Sequence, residues 1–334
     1  MKTDDGQGRP LGPRHPSIPS SPDGSDWPLA VLLMGPTASG KTELALELAA
    51  AFPCDIISVD STQVYRGLDI GSAKPAPEIR DAFPHRLIDI CEPTESYSAA
   101  RFRADALREM AVSASQGRIP LLVGGTMLYF RALQQGLAPL PGADPGVRAR
   151  LEAEALAWGW GRLHQRLAVL DPAVASRIHP NDPQRIQRAL EVIEITGRPL
   201  SELQLARAGE HPLPYRLLKL VRAPRDRAVL RDRIAWRFRA MLEAGFEAEV
   251  RHLWARGDLR ADLPALRSVG YRQMLNYLLG GTTYSAMIEL AVIATRQLAK
   301  RQLTWLRAET DCWWLLDDES PLDQAKQFLC DAWA

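Results

Sequence analysis

The sequence predicts an α/β fold in which a parallel sheet carries helices on both faces and an all-helical domain is inserted into the chain. Three observations predict this fold. The apolar run 29–34 is followed by a Gly-rich loop and a helical pattern, short strands then alternate with helices, and the stretch 144–208 has helical periodicity throughout. Strands that alternate with helices form parallel sheets whose two faces are both covered.

The first predicted strand leads into a phosphate-binding loop. Residues 35–42 read Gly-Pro-Thr-Ala-Ser-Gly-Lys-Thr between that strand and a predicted helix at 43–51, which is the G-x-x-x-x-G-K-[ST] pattern in the context it requires. The glycines let the backbone wrap around an anion, and the helix N-terminus adds partial positive charge. The core is therefore expected to be P-loop NTPase-like. The residues expected to bind a di- or triphosphate are Gly35, Thr37, Ala38, Ser39, Gly40, Lys41 and Thr42, with Mg²⁺ held by the Thr42 hydroxyl.

The other elements of the core follow in chain order. The predicted strands are 55–60, 86–90, 119–123 and 215–221, and the predicted helices are 99–116, 226–256 and 283–307. Sites in open parallel sheets lie at the carboxyl ends of the strands. The P-loop, Asp60 and 124–126 are therefore expected on one rim of the sheet.

Composition changes divide the chain into four parts. Residues 1–28 are rich in Pro, Ser, Gly and Asp and are expected to form a disordered N-terminal extension, since they lack the apolar segment of a signal peptide. The expected core comprises 29–135 and 212–318, and the inserted helical domain comprises 136–211. Residues 319–334 are expected to be a C-terminal tail.

The overall composition excludes several classes of protein. The 334 residues are 46% hydrophobic with a formal net charge of +1, as in a globular protein, and no apolar stretch reaches the length of a membrane span. The four cysteines are widely spaced, which argues against a zinc site or a disulfide framework. We expect a cytoplasmic monomer with no membrane partner. Arginine outnumbers lysine, so a local basic surface for phosphates is compatible with the nearly neutral total.

Polar side chains occupy the expected rim beside the P-loop. Asp60 ends a predicted strand, where a carboxylate can be a Mg²⁺ ligand, a general base or a helix cap, and its position alone leaves these roles open. Ser61 and Gln63 offer neutral groups that can read the edge of a base. The Gly-Gly-Thr of 124–126 allows a ligand to approach closely, and Thr126 can cap the next helix or bind Mg²⁺ or substrate.

Other patterns are weaker or absent. Arg185 and Arg188 share one face of a predicted helix, which indicates either a solvated stripe or a lid over phosphates. The two asparagines, Asn181 and Asn276, form no Asn-Lys-x-Asp guanine-reading motif, and no His-Arg-Asp kinase loop is present. A GTPase or a protein kinase is therefore disfavoured.

Seven motifs together resemble the bacterial tRNA dimethylallyltransferases (tRNA isopentenyltransferases). They occur in the order typical of that family and span about residues 29–318. The motifs are 35–42, Asp60-Ser61-x-Gln63-Val64-Tyr65, Asp69-Ile70-Gly71-Ser72-Ala73-Lys74-Pro75, Val123-Gly124-Gly125-Thr126, Gln184-Arg185-x-x-Arg188-Ala189-Leu190-Glu191, Val269-Gly270-Tyr271-Arg272-Gln273 and 295–302. Ser72 replaces a common Thr but retains the hydroxyl.

The resemblance implies a prenyl transfer. Dimethylallyl diphosphate would donate its five-carbon group to the exocyclic amine of the adenosine 3′-adjacent to the anticodon, in tRNAs that read codons beginning with U, and diphosphate would leave. Asp60, Thr126 and Lys41 would be catalytic, with Asp60 as the base and Mg²⁺ as the cofactor. The expected contacts with the tRNA anticodon stem-loop are Asp60, Ser61, Thr62, Gln63, Thr126, Arg148, Gln184, Arg185, Ile186, Gln187 and Arg188, with parts of 266–271 and 296–302.

Three other functions are compatible with a P-loop in this setting. A small-molecule or nucleotide kinase shares the loop, the sheet and an Arg-bearing lid, but it would consume ATP. An ATP-driven RNA-binding factor would bind RNA without covalent chemistry. Prenylation of free AMP is disfavoured by the large helical insertion, since a free nucleotide needs no clamp.

Overall fold

Six strands in the described part of the chain form one parallel sheet. The computed structural model describes residues 27–205 and 213–333. The strands are β1 (Leu29–Met34), β2 (Cys54–Val59), β3 (His85–Arg86), β4 (Ile119–Gly124), β5 (Arg216–Arg222) and β6 (Cys312–Leu315). They lie in the order β3-β2-β4-β1-β5-β6, so that β1 is an inner strand between β4 and β5.

Helices cover both faces of this sheet, which confirms the predicted α/β fold class. The described helices are α1 (Lys41–Ala51), α2 (Pro77–Ala82), α3 (Ala99–Ser115), α4 (Met127–Gln135), α5 (Pro145–Trp158), α6 (Trp160–Leu170), α7 (Pro172–Ala175), α8 (Pro183–Thr196), α9 (Leu200–Leu205), α10 (Arg227–Glu243), α11 (Phe246–Ala255), α12 (Tyr271–Leu278), α13 (Tyr284–Ala308) and α14 (Pro321–Trp333). Within the described residues, no helix is both long and apolar enough to span a membrane.

The register of the strands brings three loops to one edge of the sheet. Met34 at the end of β1 is paired with Gly124 at the end of β4, and Gly124 is also level with Val59 of β2. The P-loop, Asp60 and the segment 125–126 therefore leave neighbouring strands at the same level, as the sequence predicts.

The core of the sheet unit forms around β1, all of whose side chains are buried. Leu44 and Leu48 of α1 belong to the same apolar cluster as Val31 and Leu33 of β1. An inner parallel strand is covered on both faces, which explains the continuous apolar run from which it was predicted.

The C-terminal segment differs from the sequence expectation of a tail at 319–334. It contains α14, and Ala325, Leu329 and Ala332 of this helix lie in the apolar cluster around β1. These residues recur at the spacing of one helical face, so their burial contributes to the core of the sheet unit. The edge strand β6 was not predicted either.

Two other predicted elements are shorter than expected. The strand expected at 86–90 is only β3, because Leu87 and Asp89 have left-handed backbone conformations, with φ of 63° and 56°. The helical region expected at 226–256 is divided into α10 and α11 at Gly245, whose φ is 98°.

The helices α5 to α9 belong to a separate compact unit within Gln134–Leu213, while the described residues of 1–133 and 214–334 form the other unit. The boundary expected from the sequence was 136–211, and residues 1–26 and 206–212 of the two expected segments lie outside the described part of the chain. The apolar core of the helical unit includes Leu151, Leu167 and Leu190. The carboxylates of Asp144, Asp171 and Asp182 each cap the helix that begins at the following proline.

Candidate active site

The P-loop has the tight backbone that its sequence predicts. A side-chain carbon added at Gly35 would lie 2.2 Å from the carbonyl oxygen of Arg222, so only glycine fits against β5. Ala38 and Gly40 have φ of 62° and 85°, and α1 begins at Lys41. This left-handed turn before a helix N-terminus is the backbone arrangement that binds phosphate groups.

Two cations and one carboxylate interact electrostatically at this loop. The Lys41 ammonium donates to the Pro36 carbonyl at 2.7 Å. Burial, followed by the positive charge of Arg237, lowers the pKa of Lys41 to about 7, and Asp60 opposes this shift. Burial also lowers the pKa of Arg237, and the negative charge of Asp60 opposes this shift as well. Because the two cations repel each other, an anion bound between them would be stabilised by both.

Asp60 forms a turn immediately after β2. Its Oδ1 atom accepts hydrogen bonds from the backbone N–H groups of Thr62 at 2.8 Å and Gln63 at 3.2 Å. Thr126 Oγ1 accepts from the N–H of Ser61 at 3.1 Å. These contacts fix the orientation of the Asp60 carboxylate and hold the two strand ends together.

Gln63 has a structural role in addition to its predicted place in the site. Its Oε1 accepts from the Ser58 hydroxyl at 3.0 Å, and its Nε2 donates to the carbonyl of Ala73 at 3.2 Å. The side chain therefore ties the end of β2 to the loop 69–75. Thr62 adds a hydroxyl contact of 3.3 Å to Ser268.

Gln302 of α13 joins the P-loop to the end of β4. Its Oε1 accepts from the N–H of Thr37 at 2.9 Å, and its Nε2 donates to the carbonyl of Gly125 at 2.8 Å. The side chain is buried, so both ends of the amide are used within the protein. Gln302 belongs to a segment expected from the sequence to contact tRNA, which stays a prediction, and the structure shows its side chain linking two loops of the site.

Several of these groups line a cavity of about 330 Å³ in the sheet unit. Its polar lining residues include Thr37, Asp60, Ser61, Thr62, Thr126, Arg237, Arg301 and Gln302. Its apolar lining residues include Met127, Ile234, Phe238, Met241, Phe246 and Val269. A ligand with an anionic group and a hydrocarbon group would find both complementary surfaces in one space.

Arg237 is a site residue that the sequence analysis missed. Its guanidinium contacts the Thr37 hydroxyl at 3.4 Å and lies within the cavity lining. A signal was present in the sequence, because Arg237 interrupts the apolar positions Ile234, Phe238 and Met241 along one face of α10. A charged residue in an apolar stripe must face either a partner or a polar cavity.

The other predicted site residues lie in the helical unit. Glu191 is fully buried and accepts from Arg148 at 2.7 Å and 3.1 Å and from Arg188 at 2.7 Å. Ile186 is fully buried in the apolar core of this unit, so its side chain contacts other helices. Gln184 and Arg185 are exposed, and the Gln187 amide donates to Glu152 at 2.9 Å. Of the five predicted contacts on α8, Gln184 and Arg185 thus present the most accessible side chains.

A metal site made of protein side chains alone is not found in the described residues, which contain no cluster of three or more His, Cys, Asp or Glu suited to an ion. The Thr42 hydroxyl is exposed at the start of α1. One hydroxyl beside a diphosphate suits Mg²⁺, which usually takes few protein ligands and completes its shell with phosphate oxygens and water.

Comparison with known proteins shows the family of this chain. The family model described as IPP transferase matches residues 63–309, and a second, described as isopentenyl transferase, matches residues 29–82. A tRNA dimethylallyltransferase of Thioalkalivibrio sulfidiphilus is 63% identical over 281 residues, which are 84% of this chain and 88% of the relative.

Solved structures give the same result. The tRNA isopentenylpyrophosphate transferase of Bacillus halodurans is 37% identical with a TM-score of 0.66, over 91% of this chain and 96% of that one. A eukaryotic dimethylallyltransferase acting on tRNA is 24% identical with a TM-score of 0.75, over 91% and 80% of the two chains, and supports the fold. From its sequence, its fold and the P-loop site, this chain belongs to the IPP transferase family, the family of the tRNA dimethylallyltransferases.

Proposed function

We propose that this enzyme transfers the dimethylallyl group of dimethylallyl diphosphate to the exocyclic amine of the adenosine 3′-adjacent to the anticodon, in tRNAs that read codons beginning with U. The amine nitrogen attacks C1 of the allyl group, the carbon–oxygen bond to diphosphate breaks, and one amine proton leaves. The products are isopentenyladenosine in tRNA and diphosphate.

The observation that carries this proposal is the lining of the cavity. The P-loop residues Thr37 and Ala38 line it together with the Asp60 carboxylate and with an apolar surface that includes Phe238 and Phe246. A kinase needs a site for a second polar substrate, whereas a prenyl donor needs an apolar surface beside its diphosphate. The apolar lining therefore favours the prenyl donor.

The P-loop and the nearby cations Lys41 and Arg237 would stabilise the diphosphate leaving group. As the carbon–oxygen bond breaks, negative charge grows on the diphosphate, and the P-loop N–H groups, Lys41 and Arg237 would stabilise it. Mg²⁺ held by Thr42 and the diphosphate oxygens would neutralise further charge. The apolar surface excludes water, which would otherwise capture an allylic centre.

Asp60 is the proposed base. The lone pair of an aromatic amine is delocalised, so removal of its proton by a positioned carboxylate contributes about 10²–10⁴ in rate. The backbone N–H groups of Thr62 and Gln63 bind one carboxylate oxygen, and the other would take the proton. The adenine must leave its stack to reach this point, as in other enzymes that modify a base.

The helical unit is the proposed binding site for the anticodon stem-loop. Single-stranded loops are where proteins read RNA sequence, and arginines on α5 and α8 would take phosphate contacts. Such contacts make binding strongly dependent on salt. All groups in this proposal lie on one chain, so a monomer suffices, and a tRNA substrate fits a cytoplasmic location.

The direct test incubates the enzyme with radiolabelled dimethylallyl diphosphate, Mg²⁺ and unmodified tRNA, followed by nucleoside analysis. Labelled isopentenyladenosine is expected. Consumption of ATP with transfer of its terminal phosphate, and no label in the tRNA, would instead identify a kinase.

A substitution at Asp60 separates the base from its structural role. D60N retains an oxygen that can accept from Thr62 and Gln63, but it cannot take a proton. We expect kcat to fall about 100-fold or more while the tRNA dissociation constant stays nearly unchanged. A parallel collapse of tRNA affinity would show that Asp60 is a binding residue and refute its assignment as the base.

A further inference from the structure

One carboxylate outside the P-loop organises the apolar side of the cavity. Glu249 of α11 accepts four hydrogen bonds from two other segments of the chain. Its Oε2 accepts from the backbone N–H groups of Asp69 at 3.0 Å and Ile70 at 2.6 Å. Its Oε1 accepts from the N–H of Gly71 at 3.1 Å and from the hydroxyl of Tyr271 at 2.6 Å. Oε1 of Glu249 thus binds both Gly71 of the loop and the hydroxyl of Tyr271.

Of the groups held by Glu249, Gly71 lines the cavity and Tyr271 packs against Phe246, which also lines it. Gly71, Phe246 and Gly270 line the cavity, and Tyr271 directly follows Gly270. The rings of Phe246 and Tyr271 meet edge to face with centroids 5.1 Å apart. A side-chain carbon added at Gly71 would lie 2.2 Å from the Phe246 ring and 2.6 Å from the Tyr271 ring. The loop, the two rings and the carboxylate therefore pack without room for adjustment.

The position of this wall relative to the P-loop follows from α10. Ile234 lies in an apolar cluster against which Ala38 of the P-loop packs. Met241 lies seven residues further along the helix, about 10 Å from Ile234 at 1.5 Å per residue. The lining continues through Phe238, whose ring meets Phe246 at a centroid distance of 6.1 Å. The lining along α10 therefore connects the P-loop side of the cavity with the wall that contains Phe246, so a hydrocarbon chain extending from the P-loop along this lining would meet that wall.

We propose that Glu249 is a positioning residue that sets the depth of the apolar side of the cavity and thereby the length of the prenyl donor that the enzyme accepts. This inference rests on the proposed function. Glu249 touches no reacting atom; it acts by keeping Gly71, Phe246 and Tyr271 in contact. With the wall held, a five-carbon group fits and a ten-carbon group is rejected.

The test compares dimethylallyl and geranyl diphosphate as donors to unmodified tRNA. The variant E249Q replaces one accepting oxygen by an amide N–H₂, which cannot accept from the N–H groups or the hydroxyl that face it. The variant Y271F removes only the hydroxyl and leaves both the ring and the bonds to the loop. The matched control is E247Q on the same helix, since Glu247 is paired only with Arg251 in the described contacts.

For E249Q we expect kcat/KM with dimethylallyl diphosphate to fall about tenfold, as loss of one or two hydrogen bonds implies. The ratio of dimethylallyl to geranyl transfer should be lower in E249Q than in the wild type, by more than the spread of this ratio between wild-type preparations. KM for tRNA should not change. Y271F should shift the same ratio by a smaller factor, and E247Q should leave it unchanged.

The donor ratio distinguishes positioning from a general structural role. If E249Q and Y271F lower transfer of both donors by the same factor, Glu249 only supports folding and the inference is overturned. If E249Q does not fold, as judged by circular dichroism, Y271F alone decides by the same ratio. A wild-type enzyme that labels no tRNA from dimethylallyl diphosphate would overturn the proposed function, and the inference with it.

Discussion

The bridge formed by Gln302 leads to a prediction that connects stability with activity. Truncation to Ala in Q302A removes both hydrogen bonds of the side chain, to the N–H of Thr37 and to the carbonyl of Gly125. Gln302 is 9% exposed, so water has limited access to the two backbone groups that lose their partner. The matched control is Q297A, because Gln297 lies on the same helix and is exposed.

The magnitude follows from those two contacts. Each hydrogen bond contributes about 1 kcal/mol net, and a buried backbone group left without a partner costs about 1–3 kcal/mol. The free energy of unfolding should therefore fall by about 2 kcal/mol if water reaches both groups, and by about 4 kcal/mol if it reaches neither. Since Thr37 belongs to the P-loop, loss of alignment there should also lower kcat/KM for the diphosphate donor by about tenfold or more.

Two measurements check this prediction. Urea unfolding compares Q302A and Q297A with the wild type, and steady-state kinetics compare KM for the donor with KM for tRNA. Q302A should lose stability and donor affinity, whereas Q297A should lose neither. A Q302A variant with normal donor kinetics and normal stability would refute the reasoning that the bridge holds the P-loop in place.

Two further predictions concern charges. R237M should weaken binding of inorganic diphosphate about tenfold by removing a cation from the P-loop, measured by calorimetry, whereas R239M at an exposed neighbouring position should change it little. At Glu191, burial alone would raise the pKa, but the hydrogen bonds from Arg148 and Arg188 outweigh it and hold the pKa below its ordinary value. This carboxylate therefore stabilises the fold above its ordinary pKa and loses that effect as the pH falls through the lowered value. E191Q should cost about 3 kcal/mol of unfolding free energy at pH 7 and progressively less below pH 4; a difference from the wild type that stays constant with pH would contradict this.

Local patterns predicted much of the sheet unit. The run 29–34 is apolar throughout because an inner parallel strand is buried on both faces, and β1 has these bounds. The P-loop could be located because its backbone requires glycine at two positions. A side-chain carbon added at Gly35 would lie 2.2 Å from the carbonyl oxygen of Arg222, and Gly40 has a left-handed backbone with φ of 85°. The left-handed turn at Gly40 acts within a few residues and is visible in a single sequence, whereas the Gly35 contact comes from Arg222 on β5 and only the motif pattern pointed to it.

Elements that depend on distant partners were predicted less well. The short β3 was expected to be longer, and α14 was expected to be a tail although its apolar face belongs to the core. The last helix packs against elements more than 250 residues earlier in the chain. A short amphipathic pattern at a chain end does not by itself show that such a partner exists.

The candidate site shows the same division. The sequence alone determined the P-loop, the strand before it and the polar residues at the ends of β2 and β4, because an apolar run, a loop of fixed length and its glycines are local features of the chain. Only the tertiary structure brought Arg237 and Gln302 to the cavity and Glu249 to the loop behind its wall, since each lies on a helix that begins far from the P-loop in the chain. Their roles depend on distances across the fold, and no spacing along one chain segment encodes such distances.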